Sequence, residues 1–170
     1  MSQSLIDVLE DGRRDVVETL RAVAADQAGA KSSAERWSPL ECIEHVVTVE
    51  HRFIGWITNG SVIEALEDRE KETRLGTMVR NRSTKAQAPE AVLPTGKYQS
   101  MEEAAAAFNE ARDITVRIVT ARGGELYAVG VKHPRFGEMN AAELVHLIAG
   151  HASRHAEQIR EEVAALQGSR

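Results

Sequence analysis

The chain has 170 residues, a net charge of −5, 42% hydrophobic residues and 28% charged residues. That composition describes an ordinary globular protein, read here as one domain over residues 1–170 that is long enough to bury a proper core. The acidic balance and the lack of a basic face argue against a nucleic-acid surface. The single cysteine excludes an intrachain disulfide framework, and no apolar run approaches the ~20 residues of a membrane span. Aromatic residues make up only 4% and alanine is abundant, which favours helices over sheets. Acidic residues come early and no apolar leader core follows, so no signal peptide and a cytoplasmic location are expected.

The first helix is predicted over residues 4–26. Leu5, Leu9, Val16, Leu20 and Val23 form its apolar stripe, Ile6 and Val17 widen it, and Ser4 with Asp7 resembles a capped start. Residues 27–33 are small and polar and read as a connection. Ser38-Pro39-Leu40-Glu41 is a strong start for the second helix. Ser38 is the N-cap, Pro39 takes the first helical position and Glu41 completes a capping box. This helix runs to about Thr58. Leu40, Ile43, Val46, Val47, Phe53, Ile54 and Ile57 fill its main apolar arc, and His45, Val49 and Trp56 flank it. His51 lies on the polar face. Glu50 lies inside the apolar arc, where a lone carboxylate is rare, so a buried arginine, histidine or hydroxyl must meet it.

Ser61-Val-Ile-Glu64 repeats the capping-box pattern and predicts a short helix to residue 72. Residues 73–99 show no periodicity, contain Pro89 and Pro94, and are locally basic over residues 80–85. A connection this long is read either as a loop draped over the bundle or as a loop contacting substrate. Ser100-Met-Glu-Glu103 caps a third helix to about Ala121, ended by Gly123-Gly124. Residues 126–131 favour extended structure. Asn140-Ala-Ala-Glu143 caps the fourth helix, with Leu144, Ile148, Ile159, Val163 and Leu166 along its stripe. The fold class expected is all-α, a four-helix bundle with a long connection between helices 2 and 3. The short first connection predicts that the first two helices run antiparallel.

His151 and His155 occupy the gap in the fourth stripe between Ile148 and Ile159, so two imidazoles sit one turn apart on the buried face. Buried imidazoles need a partner. A metal ion would satisfy them, and so would water and carboxylates. His45 points to a seam between helices, which makes three histidines near apolar seams, and bundles build metal sites from inward side chains on facing helices. Three neutral imidazoles suit zinc, nickel, copper or ferrous iron and leave coordination positions open, the catalytic pattern.

Other groups are weaker candidates. Cys42 lies three residues before His45 but reads as a small buried hydrophobe. Glu143-Leu-Val-His146 matches the Glu-x-x-His of carboxylate di-iron bundles, yet no second pair accompanies it, and His146 reads as surface-edge. His133, beside Pro134, reads as structural. Glu41 is explained by its capping box, and Glu50 points away from His45.

Three stretches carry a resemblance to a known family: Trp37-Ser-Pro-Leu-Glu-Cys-Ile-Glu-His45-Val, His133-Pro-Arg-Phe-Gly137, and Glu143-Leu-Val-His-Leu-Ile-Ala-Gly-His151-Ala-Ser-Arg-His155-Ala-Glu-Gln-Ile159. Together they resemble the DinB/YfiT-like superfamily of bacterial metal-binding four-helix bundles, over nearly the whole chain. The resemblance implies that His45, His151 and His155 are a complete metal triad for a divalent ion such as zinc, nickel or iron. The family name implies no polymerase activity and no DNA binding. Relatives include metal-dependent transferases that use low-molecular-weight thiols such as bacillithiol and mycothiol, and a thiol-dependent maleylpyruvate isomerase is similar in this domain.

The function expected is therefore a mononuclear divalent-metal enzyme. In one form it is a low-molecular-weight-thiol S-transferase with the thiol as cosubstrate. In the other it is a metal-dependent hydrolase. The sequence assigns no general base, no serine-nucleophile motif and no glycine-rich phosphate loop. The alternative is a non-catalytic metal- or ligand-binding or dimerisation module. The partners expected are a small-molecule substrate and, by resemblance, a second copy of the chain in a homodimer, with no nucleic acid and no membrane.

Overall fold

The structure is a computed structural model that describes residues 3–83 and 87–168. Four long helices build the bundle: α1 (Leu5–Arg21), α2 (Pro39–Thr58), α4 (Met101–Arg122) and α5 (Ala141–Gly168). Each starts on the polar residue expected of it. Ser4 and Asp7, then Ser38 and Glu41, form reciprocal capping boxes, Ser100 Oγ accepts from Glu103 N at 3.1 Å, and Asn140 Oδ1 accepts from Glu143 N at 2.9 Å. Gly123, with φ +50°, ends α4 as a residue free to adopt that conformation.

α1 is shorter than expected and ends at Arg21, because residues 24–30 fold into successive turns pinned by the buried Gln27. The connection to α2 is correspondingly longer, and it crosses the bundle. α1 packs against α4 and α5, and so does α2, which places the first two helices across a diagonal. α5 is central: it meets α1, α2 and a fifth helix, α3 (Arg69–Arg80).

α3 corrects the expectation of a helix from Ser61 to residue 72 followed by irregular chain. Ser61–Val62 forms strand β1 instead, and the helix starts on Asp68, whose Oδ1 accepts from Lys71 N at 2.9 Å. α3 is polar and buries only Glu72 and Leu75, so it leaves no apolar stripe to read. Of the basic stretch 80–85, Thr84 and Lys85 lie outside the described residues. A short 3₁₀ turn, Glu90–Val92, precedes α4.

The extended region after α4 becomes a 3₁₀ turn (Gly123–Ala128) followed by β2 (Val129–His133) and β3 (Gly137–Asn140). The antiparallel sheet has the order β1-β2-β3, with Ser61 opposite Gly130 and Val131 opposite Met139. A Cβ on Gly60 would stand 2.8 Å from the Gly130 carbonyl oxygen, so these two chain segments approach too closely for a side chain.

The apolar core divides into one cluster around Phe53, Ile57, Leu126 and Leu144 and another around Ile43, Val46, Phe108 and Ile159. The buried Glu50 foreseen in the α2 arc is met by Arg112 and Thr115 of α4. Among the described residues no helix is long and apolar enough to cross a membrane.

Candidate metal centre

The three histidines meet at the seam between α2 and α5. One ring nitrogen from each of His45, His151 and His155 lies within 4.8 Å of the others, an arrangement that could hold a metal ion. His45 Nε2 stands 3.2 Å from His151 Nε2. The spacing of His151 and His155 by one helical turn brings their ring centroids to 4.6 Å, and His45 reaches them from the facing helix at 5.1 and 4.8 Å. His45 and His155 are buried and His151 is half-buried.

Tautomer and charge follow from the surroundings. The His45 Nδ1 atom is 2.7 Å from the Val92 carbonyl oxygen. Only an N–H can meet a carbonyl, so Nδ1 carries the proton and Nε2 presents a lone pair toward His151. Burial holds His45 below the ordinary histidine pKa, with the bond to Val92 opposing. Burial pushes His151 and His155 well below it, and the neighbouring imidazoles and Arg154 add to the effect. All three rings are therefore neutral, the ligand form. The buried Nδ1 of His155 has no hydrogen-bond partner, an unmet demand that a neutral donor set closing on a cation would answer. The residues present fit a divalent metal ion.

Trp37 packs on two of the three rings. Its ring lies 5.0 Å from His45 and stacks on His155 at 6.2 Å with an interplanar angle of 21°. The connection carrying it is fastened to α5 by the buried Glu162, which accepts from Ser32 N, Ser32 Oγ and Arg36 Nε.

The remaining candidates fall elsewhere. Cys42 is buried in the core, and burial pushes its thiol up to about 12. Glu143 caps α5 and pairs with Lys71 at 2.8 Å. His146 lies beneath α3 rather than at a surface edge, its Nε2 3.3 Å from Glu72 Oε2, because α3 covers a face that the sequence had left open. His133 sits on β2 among Phe53, Trp56 and Phe136, where its Nδ1 accepts from the Arg135 and Phe136 amides at 3.1 and 3.2 Å. His51 is exposed.

Two partners of the site escaped the sequence. Val92 contributes only a backbone carbonyl, which no side-chain pattern reports. Glu44 is buried beside His45, and its carboxylate accepts from Thr95 N (2.6 Å), Thr95 Oγ1 (2.8 Å), Gly96 N and Lys97 N (3.0 Å each). The turn sequence Pro94-Thr95-Gly96 was the available signal.

Known proteins resemble this chain in sequence and in fold. The chain is 20% identical over 159 residues to the uncharacterized protein YuaE of Bacillus subtilis, covering 92% of this chain and 95% of that one. Its fold is similar to that of YfiT from Bacillus subtilis, described as a probable metal-dependent hydrolase with an unusual four-helix bundle topology. The TM-score is 0.61 at 14% identity, over 96% of this chain and 86% of that one. The sequence model of the DinB superfamily matches residues 9–159, a span that contains all three histidines. The chain belongs to the DinB superfamily.

Proposed function

We propose that this protein is a metal-dependent enzyme of the hydrolase or low-molecular-weight-thiol S-transferase class, with His45, His151 and His155 as ligands of one divalent ion. The observation that carries the proposal is the convergence of three neutral imidazoles on one point, with a buried nitrogen left unpartnered. Membership of the DinB superfamily and the hydrolase description attached to YfiT support it.

The chain's own residues prepare the site. Val92 orients the His45 ring and keeps Nε2 bare. The helical turn between His151 and His155 holds their rings at fixed spacing, and Trp37 packs against the rings of His45 and His155. Burial removes the competing proton from each ring. With three protein ligands, the ion would keep a position for an exchangeable ligand and act there as a Lewis acid that eases deprotonation of water or a thiol. The same ligands serve both reaction classes, so the choice rests on the substrate. Within this proposal residues 1–170 form one domain acting on a small molecule.

The test is elemental analysis of protein purified without chelator, alongside His45→Ala, followed by assay of the loaded protein. Near one equivalent of a divalent metal, lost in the variant, is expected. Turnover of activated esters and amides without thiol identifies the hydrolase; turnover of electrophiles only with bacillithiol, mycothiol or a simpler thiol identifies the transferase. No metal in either sample, and none taken up on titration, overturns the proposal.

A further inference from the structure

Glu44 and His45 are consecutive on α2, yet both reach the segment between α3 and α4. His45 Nδ1 takes the Val92 carbonyl, and Glu44 takes the turn at residues 95–97. The four donors divide evenly, two on each carboxylate oxygen. Three are successive backbone amides that converge as an anion-binding nest. Gly96, with φ +82°, supplies the left-handed conformation that aims them together. Between the two contacts lie only Leu93, which is 42% exposed, and Pro94, which has no amide hydrogen. The Val92 side chain is buried, and the peptide carrying its carbonyl is held upstream by the 3₁₀ turn, where Leu93 N donates to the Glu90 carbonyl at 3.2 Å. Its downstream anchor is Glu44.

We propose that Glu44 is a positioning residue for the metal centre: by clamping the turn at residues 95–97 it holds the Val92 carbonyl on His45 Nδ1 and so fixes the tautomer that leaves Nε2 facing His151. The proposal rests on the metal reading above for its consequence in affinity, but the tautomer it requires can be read without any metal. A carboxylate with four donors is not interchangeable with an amide. In Glu44→Gln one accepting oxygen becomes an NH₂ group facing N–H donors, and the clamp loses half its bonds with little change in volume.

The experiment has two arms. In the first, nitrogen-15 spectra of the histidine rings are recorded on the metal-free wild type and on Glu44→Gln. The wild type is expected to show His45 protonated at Nδ1, and the variant to show a growing share of the Nε2-protonated form. In the second, zinc affinity is measured by competition with a chromophoric chelator, and the visible spectrum of the cobalt-loaded protein is recorded. Glu44→Gln is expected to bind zinc roughly tenfold more weakly, at the low end of the effect of outer partners on metal affinity, and to change the cobalt bands. Glu50→Gln breaks a different buried carboxylate network on the same helix. It is expected to lower the melting temperature while leaving zinc affinity and the cobalt spectrum unchanged.

If Glu44→Gln does not fold, Thr95→Val removes one donor from the clamp and is expected to weaken zinc in the same direction by less. A wild-type His45 protonated at Nε2, or variants that keep wild-type zinc affinity and tautomer, overturns the proposal. Failure of the wild type to bind any metal while the tautomer still shifts in Glu44→Gln sinks the metal reading and leaves the clamp standing.

Discussion

Arg112 of α4 and Glu50 of α2 close on each other inside the bundle as a two-pronged pair. Arg112 Nε donates to Glu50 Oε1 at 2.7 Å and Nη2 donates to Oε2 at 3.1 Å, with the side chains 0% and 2% exposed. Thr115 Oγ1 donates to Oε1 at 2.8 Å and Arg112 Nη1 donates to the Leu9 carbonyl at 2.6 Å, so the guanidinium ties three helices together. Removing one charge strands the other in the core. Glu50→Ala is expected to destabilise by about 3–5 kcal/mol. The double variant Glu50→Leu/Arg112→Met, apolar on both sides, should recover most of that loss. Denaturant unfolding of the three proteins checks this, and equal destabilisation of the single and double variants would show that the pair contributes by more than mutual neutralisation.

Metal loading is expected to stabilise the fold, because the ligands come from two helices and an ion that binds only the folded state shifts the equilibrium toward it. At a hundredfold excess of free zinc over Kd the gain is about 2.7 kcal/mol, or roughly 5–10 °C in Tm for a chain of this size. Chelator should remove it. His151→Ala should show no zinc-dependent shift at all. A variant that still shifts by the wild-type amount would remove His151 from the site.

Acid should weaken the fold partly through His133. Burial, with Arg135 and Arg52 adding, pushes this ring from 6.5 down to about 4. Its folded value lies below its unfolded value, so the unfolded chain binds the proton more readily. The contribution is therefore complete above about pH 6.5 and is lost progressively as the pH falls toward 4. The wild-type His133 ring resonances should stay unshifted until near pH 4. The slope of Tm against pH between 6.5 and 4 should be shallower in His133→Phe, and an unchanged slope would remove His133 from the acid response.

Gly150, immediately before His151, marks the crossing of α3 over α5. A Cβ there would collide with Val79 Cγ1 and stand 2.7 Å from the Gly76 carbonyl oxygen. Gly150→Ala is expected to cost about 1–3 kcal/mol through overpacking, despite alanine's better helix propensity. Because the strain falls beside a proposed ligand, zinc affinity should drop as well. Gly55→Ala, on α2 with open space at its Cβ, serves as the control and should be neutral or stabilising. A Gly150→Ala protein as stable as wild type would mean that α3 is not held against α5 as described.

The four long helices were legible in the sequence because their signals are local. Capping pairs such as Ser38 with Glu41 and Asn140 with Glu143 lie three residues apart, and the apolar stripes repeat within one helix. The placement of His151 and His155 on a buried face followed from the same periodicity, and the demand of Glu50 for a buried partner followed from its place in the α2 arc. Tertiary structure decided what depends on segments distant in the chain. Arg112 answers Glu50 from 62 residues away, and Val92 reaches His45 from 47. α3 went unseen because a polar helix that buries two side chains writes no stripe, and β1 because two residues owe their strand to pairing with β2 rather than to their own propensity. The diagonal placement of α1 and α2 rests on packing against α4 and α5, and three of the four bonds between Glu44 and the turn at residues 95–97 come from backbone amides that every residue but proline possesses. A sequence distinguishes its side chains but not its amides and carbonyls, and those become partners only once packing has brought them together.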